Sequence, residues 1–301
     1  MDVERPNLRE RQERSPHSRL DQEIRRPDED FDEGRALELC AEITRNLLGD
    51  FTPALVLLPA FDRERVQTLL AYTFTLFDFA RQRGVEGERL SQINRWQFTL
   101  ETALGGEPVG QPVFVRMSRE HRRRPWTVEA LDEIAHCARR RATRPRPATP
   151  EEADADAERL ARAVATAMLG KAPPEEVNAF AGALVRLRVL QGLGAEVQGK
   201  RNPLAVSEMP DELGEDPDPG KLFAAAQREC LRLRPRLLRA PRGLIEIPAG
   251  YRRAAVFCLL ASLRLLTQIE DGDAGLLETP PQLGVMSRLG LLARARWFRV
   301  S

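Results

Sequence analysis

The chain has 301 residues, 42% hydrophobic and 30% charged, with 46 Lys plus Arg against 45 Asp plus Glu. That balance can support a packed core and excludes a wholly disordered protein. A net charge of +1 supplies no bulk attraction for nucleic acid.

Residues 1 to 34 carry 7 Arg and 11 acidic residues, with Val3, Leu8, Leu20, Ile24 and Phe31 as the bulky apolar side chains. Such a segment cannot bury enough surface to offset its ordering entropy, so it reads as a disordered charged tail. Residues 35–301 read as one helical domain. A first helix runs from Arg35 to Leu48 and stops at Gly49 and Asp50. After Pro59, Asp62 is placed to cap a helix over 63–80, with Val66, Leu69, Leu70, Thr73, Phe74 and Phe77 on one face. Gly84 to Gly87 reads as a break. Helices are then predicted over 91–104, over 112–119 and from Thr127 to about Arg141. Thr149, Pro150, Glu151 and Glu152 form an N-terminal signature for a helix ending at Gly170. The next is predicted from Glu175 to about Gln198. A Pro-, Gly- and acid-rich loop spans 199–220. Further helices follow over 222–238, with a kink or break at Pro235, over 250–269 and over 289–298. Strand signals are nearly absent, which points to an all-α fold.

Several functions fall away on the same reading. No run approaches the ~18 apolar residues of a membrane span, and no secretory leader is visible. Cys40, Cys137, Cys230 and Cys258 are widely spaced, which argues against zinc and disulfide frameworks and sets a reduced, cytoplasmic location as the expectation. His17, His121 and His136 are isolated, and no Gly-rich phosphate loop or nucleophile motif appears. Arginine is the one electrostatic peculiarity: Lys171, Lys200 and Lys221 are the sole lysines, and the rest of the basic residues are arginine. They cluster at 119–124, 139–146 and 228–242. Clustered Arg can grip diphosphate or anionic lipid heads, though faces paired with nearby acids are the commoner arrangement.

The order of segments carries more than any cluster. F-T-P-A-L-V-L-L-P-A-F at 51–61, followed by a helix ending L-A-Y-T-F-T-L-F-D-F-A, resembles the opening of the squalene/phytoene synthase family. R-P-R-P-A-T-P-E-E-A-D-A at 144–155 stands where that family has R-Y-x-T-x-E-E-L. L-V-R-L-R-V-L-Q-G-L-G-A-E-V at 184–197 resembles L-A-L-Q-L-T-N-I-L-R-D-V, and the helix around 252–270 resembles the last long helix. The resemblance covers roughly 40 to 300 and implies an isoprenoid-synthase-like helical bundle. In that family two Asp-rich motifs hold Mg²⁺, which neutralises a prenyl diphosphate as it leaves.

Both motifs are degraded here. With Tyr72 and Phe74 on the family's Y-x-F, the acids of D-D-x-x-D fall on Phe79, Ala80 and Arg83, leaving Asp78 one position early with Arg81 and Arg83 beside it. The second motif reads Glu196 to Lys200, with Glu196 the nearest counterpart of an Asp and Lys200 where an acid is expected. Arg188 and Gly192 lie near the usual Gln and Asn. The resemblance therefore implies a vestigial substrate site of Asp78, Arg81, Arg83, Glu196, Tyr72, Phe74 and Gln191. Asp78 and Glu196 are its remnant metal ligands. The family includes a member that has lost these motifs and acts as an assembly factor for respiratory complex I. The expectation is a catalytically degenerate protein that binds an isoprenoid, a lipid or a protein partner, without cofactor, with peripheral but not spanning membrane contact. The alternative is an active, Mg²⁺-using prenyltransferase that condenses prenyl diphosphates.

Overall fold

The computed structural model describes residues 33–82, 84–198, 203–208 and 218–298. The predicted tail therefore lies outside the described residues except Glu33 and Gly34, which instead open the first helix. Eleven α-helices are present and no strand among the described residues. In chain order they are α1 (Glu33–Leu48), α2 (Ala60–Arg81), α3 (Glu86–Leu104), α4 (Pro112–Arg123), α5 (Val128–Thr143) and α6 (Pro150–Leu169). There follow α7 (Glu175–Gln191), α8 (Leu193–Gln198), α9 (Pro219–Leu244), α10 (Ala249–Glu270) and α11 (Val285–Trp297). Short 3-10 segments at Gly49–Leu57 and Ala274–Leu277 complete the set. No described helix is long and apolar enough to cross a membrane.

Local chemistry explains most of the boundaries. Pro150 fills the first turn of α6, the Thr149 hydroxyl accepts from Glu152 N, and Gly170 closes the helix at φ 75°. That left-handed conformation suits a residue without Cβ. Other expectations change. Residue Pro59, not Asp62, caps α2, and the Asp62 carboxylate instead accepts from Tyr251 Oη at 2.7 Å. Gly87 does not break the chain: it sits inside α3, which starts at Glu86. The helix expected to reach Gln198 divides at Gly192 into α7 and α8. Pro235 does not end α9, which runs on through Pro241. Both prolines are exposed, while Leu233 and Leu237 beside Pro235 are fully buried and hold the helix in place.

Two apolar cores form. One gathers α1 to α5, centred on Leu69, Tyr72, Leu76, Ile93, Trp96, Phe114 and Ile134. The other gathers the Gly49–Leu57 segment with α7, α9 and α10, including Phe180, Leu187, Leu233, Phe257 and Leu265. Met168 of α6 packs against both. The small inner face of α6 (Ala153, Ala157, Ala161) lets α7 come close. A Cβ on Gly182 would stand 2.7 Å from Glu158 Cγ.

The arginines are largely spoken for by this packing. Residue Arg65 is buried and donates to the carbonyls of Glu120, Arg124, Pro125 and Ala167, with its guanidinium 3.5 Å over the Trp126 ring. Arg124 donates to Met168 O and Arg89 to Ala142 O. Guanidinium groups thus satisfy the last carbonyls of helices, where cations also complement the helix dipole. From the 228–242 cluster, Arg232 pairs with Glu229 and Glu208, Arg234 with Glu270, and Arg236 with Asp154 and Glu158. Buried Arg186 of α7 pairs with Glu229 of α9.

Candidate functional site

The site grows from α2. No residue from Asp62 to Arg81 is exposed, so this helix is enclosed by its neighbours. Within it Leu70, Phe74, Phe77, Asp78 and Arg81 nevertheless keep partial solvent contact. Their spacing puts them on one face of a 3.6-residue helix. Tyr72 is on the other side. It is fully buried, 6.5 Å from the rings of both Trp96 and Phe114, and burial pushes its hydroxyl well above the usual phenol range. The structure therefore separates Tyr72 from Phe74: the first is a core aromatic between α2, α3 and α4, and the second lies on the partly open face.

Helix α10 shows the complementary pattern. Arg253 and Arg264 are exposed, and on the opposite face Tyr251, Ala255 and Cys258 are partly accessible. These partly accessible inward positions are the candidate lining of a cleft. Cys258 makes the point chemically. Burial pushes its thiol up to about 12, as it does for the fully buried Cys40, although Cys258 retains accessible surface. Cys258 is thus a candidate lining residue on α10, enclosed by protein and still touching solvent. The Tyr251–Asp62 hydrogen bond joins the N-terminal ends of α2 and α10. The two partly accessible rows start there, and Leu70, Ala255 and Cys258 pack against the same core.

At the far end of the α2 row the two segments that the resemblance reads as degraded motifs come together. The Arg81 guanidinium is 4.0 Å from the Glu196 carboxylate on α8. Asp78 stands one turn before Arg81 on the same face. Arg83 and Lys200 lie outside the described residues. Gln191 is buried at the end of α7 and accepts from Arg188 Nη1 at 3.0 Å. Its Nε2 donates to Asp50 Oδ2 at 3.3 Å and to Pro281 O at 3.4 Å. Arg188 also donates to Leu47 O at 2.6 Å. Desolvation lowers the Arg188 pKa from its ordinary value, Asp50 opposes that shift and Arg81 reinforces it, so the two arginines sense each other.

Sequence reasoning missed Asp50, read there as a helix stop. It is buried, accepts from Leu283 N at 3.1 Å and pairs with Arg288 at 2.8 Å. Its partners are distant in the chain, so no local pattern marks it. A buried acid in an otherwise apolar stretch is the one signal that could have done so.

The donors at this end do not fit a Mg²⁺–diphosphate centre of the kind the resemblance implies. Mg²⁺ wants several carboxylate oxygens and water. Here Glu196 faces a guanidinium, and a second cation, Arg188, stands close enough to perturb. Asp50 is engaged by Gln191, Leu283 and Arg288. Among the described residues no group of three or more His, Cys, Asp or Glu could hold a metal.

No family model matches the chain. No curated protein matches it either. Solved structures do. A dehydrosqualene synthase crystallised with a ligand superposes with a TM-score of 0.68 at 15% identity, covering 88% of this chain and 96% of that one. Squalene synthase HpnC from Alicyclobacillus acidocaldarius gives 0.62 at 16% identity, over 78% and 92%. YisP from Bacillus subtilis subsp. subtilis strain 168 gives 0.62 at 14% identity, over 91% and 98%. The chain has the all-α, squalene-synthase-like fold.

Proposed function

We propose that this protein is a catalytically degenerate squalene/phytoene synthase-like protein that binds an isoprenoid or a related apolar lipid in the cleft between α2 and α10. The observation that carries the reading is the Arg81–Glu196 pair. It puts a fixed positive charge against one of the two remaining carboxylates where the fold's synthases, by the resemblance, need acids facing metal. A divalent cation brought there meets Arg81 and Arg188 as like charges. Each such pair at about 4 Å costs roughly 1–4 kcal/mol per unit charge between water-like and surface-like dielectric. The apolar part of the cleft does not share that problem. Leu70, Phe74 and Phe77 on α2, with Ala255 and Cys258 on α10, suit a branched hydrocarbon chain.

One observation favours a second reading. Arg81 and Arg188 together could neutralise a diphosphate without metal, because guanidinium forks match phosphate oxygens. The test separates the two. The full-length protein is incubated with farnesyl diphosphate and with farnesol, with and without Mg²⁺. The degenerate reading expects an upward shift in Tm with both, and no release of inorganic pyrophosphate in either condition. Pyrophosphate release that is lost in Asp78→Asn would overturn it in favour of the prenyltransferase. Absence of any thermal shift with either compound would overturn the binding reading itself.

A further inference from the structure

Helix α11 is apolar on two opposite sides. One side docks it: Ala295 is fully buried, Leu291 and Leu292 pack against the second core, and Arg288 pairs with Asp50. The other side presents Val285, Met286, Leu289 and Trp297, exposed by 70%, 80%, 54% and 81%. Phe298 follows immediately and is also exposed. Met286, Leu289 and Trp297 fall together on the face away from Ala295, with Val285 and Arg296 at its edge and exposed Arg294 on the other side. Residues 285 to 298 contain three arginines and no Asp or Glu.

A soluble surface does not ordinarily concentrate such side chains, and a helix apolar on two sides calls for cover on both. Charge narrows the choice of cover. The chain as a whole is nearly neutral, yet this face carries only positive charge. An aromatic pair at one end, aliphatic side chains along one face and flanking arginines are the composition of a helix lying in the headgroup region of a bilayer. Arginine there extends its guanidinium to lipid phosphate while its stem remains against apolar surface.

We infer that the outer face of α11 rests on an anionic phospholipid surface, with Val285, Leu289 and Trp297 inserted at the acyl boundary and Arg294 and Arg296 on the lipid phosphates. The inference is independent of what the α2–α10 cleft holds. Trp96 and Trp126 are buried, so Trp297 supplies the solvent-exposed indole fluorescence among the three tryptophans.

The test is flotation of the full-length protein with vesicles of phosphatidylcholine alone and of phosphatidylcholine mixed with phosphatidylglycerol, together with tryptophan emission. Flotation with the anionic vesicles only, a blue shift lost in Trp297→Phe, and weakening by added salt are expected. Arg294→Gln combined with Arg296→Gln should lower the partition coefficient roughly thirtyfold. A Val285→Ser, Leu289→Ser double variant should abolish the blue shift while far-UV circular dichroism stays unchanged, because both positions are exposed. Failure to float with anionic vesicles at low salt would overturn the inference. So would light scattering that shows a dimer dissolved by the serine variant, since a second copy would then be the cover. Acquisition of vesicle binding only after removal of residues 1–32 would assign the face to that segment instead.

Discussion

At the scale of single residues, the arginine excess resolves into distinct jobs. Arg65 is the clearest. Its guanidinium presents several N–H donors in one plane, and here they answer carbonyls from α4, the turn after it and the end of α6. Desolvation is the largest of the influences that lower its pKa to about 10, still far above neutral, so it remains a cation in the folded protein. Replacing it by methionine keeps the apolar stem but takes the guanidinium donor from the carbonyls of Arg124, Pro125 and Ala167, while Glu120 O keeps the Arg124 N–H. Arg65→Met should destabilise the protein by about 2–3 kcal/mol in urea denaturation. Arg65→Lys should recover only part of this, because an ammonium cannot reach carbonyls spread across a plane. Full recovery by lysine would mean that the charge and not the fork matters. None of this was readable from composition, which shows an arginine surplus but not which carbonyls it serves.

At the scale of elements, the helices were legible wherever a 3.6-residue apolar period met a Gly, Pro or capping residue. α6 is the best case, because its cap, first-turn proline and terminal glycine are all local. Where the deciding partner is remote, the reading failed. Asp62 looked like a cap, but Tyr251, 189 residues away, takes its carboxylate. The close packing of the Ala274–Leu277 segment on Gly194 of α8 was equally hidden. A Cβ there would run into the backbone of Leu277, within 2.7 Å of its carbonyl carbon. Gly194→Ala must therefore push the Ala274–Leu277 segment off α8. A loss of about 1–3 kcal/mol is expected. Because α8 carries Glu196, the variant should also increase hydrogen exchange at 193–198; unchanged exchange there would show that the segment yields without disturbing the site.

The Glu208 end of the short stretch 203–208 is held by charge in a way that pH can release. Partial burial works to raise the Glu208 pKa, but hydrogen bonds from Arg228 and Arg232 outweigh it and leave the carboxyl below its ordinary value. A carboxylate with a depressed folded pKa contributes stability that is present above the unfolded value, near 4.5, and lost as pH falls through the folded one. The expected result is a steepening loss of protection at 203–208 below about pH 4.5, read by limited proteolysis. Glu208→Gln should show that loosened state already at neutral pH and a flatter acid limb. An acid limb identical to that of the unaltered protein would remove Glu208 from the account.

For the whole molecule, the resemblance in segment order anticipated the architecture, and the superpositions with squalene and dehydrosqualene synthases bear that out at 14–16% identity. The interior was less legible. Phe74 and Tyr72 differ by two positions and looked equivalent, yet a two-residue step on a helix turns a side chain to nearly the opposite face. Only the packing decides which of them meets the proposed cleft, and that proposal makes a direct energetic claim. In a close-packed interior, adding a ring costs about 1–3 kcal/mol or more, because there is nowhere for it to go. Beside an internal space the added carbons find room and lose water contact. Cys40→Phe should therefore destabilise by at least that amount. Cys258→Phe should change stability by less than about 1 kcal/mol, or increase it. The two thiols share a pKa pushed up to about 12, so their chemistry does not distinguish them and the comparison isolates space. The same Cys258→Phe protein should lose the thermal shift with farnesol, because the ring would fill the place of the hydrocarbon. If both variants prove equally costly, α2 and α10 are packed solid between Leu70 and Cys258, and a lipid would have to bind elsewhere.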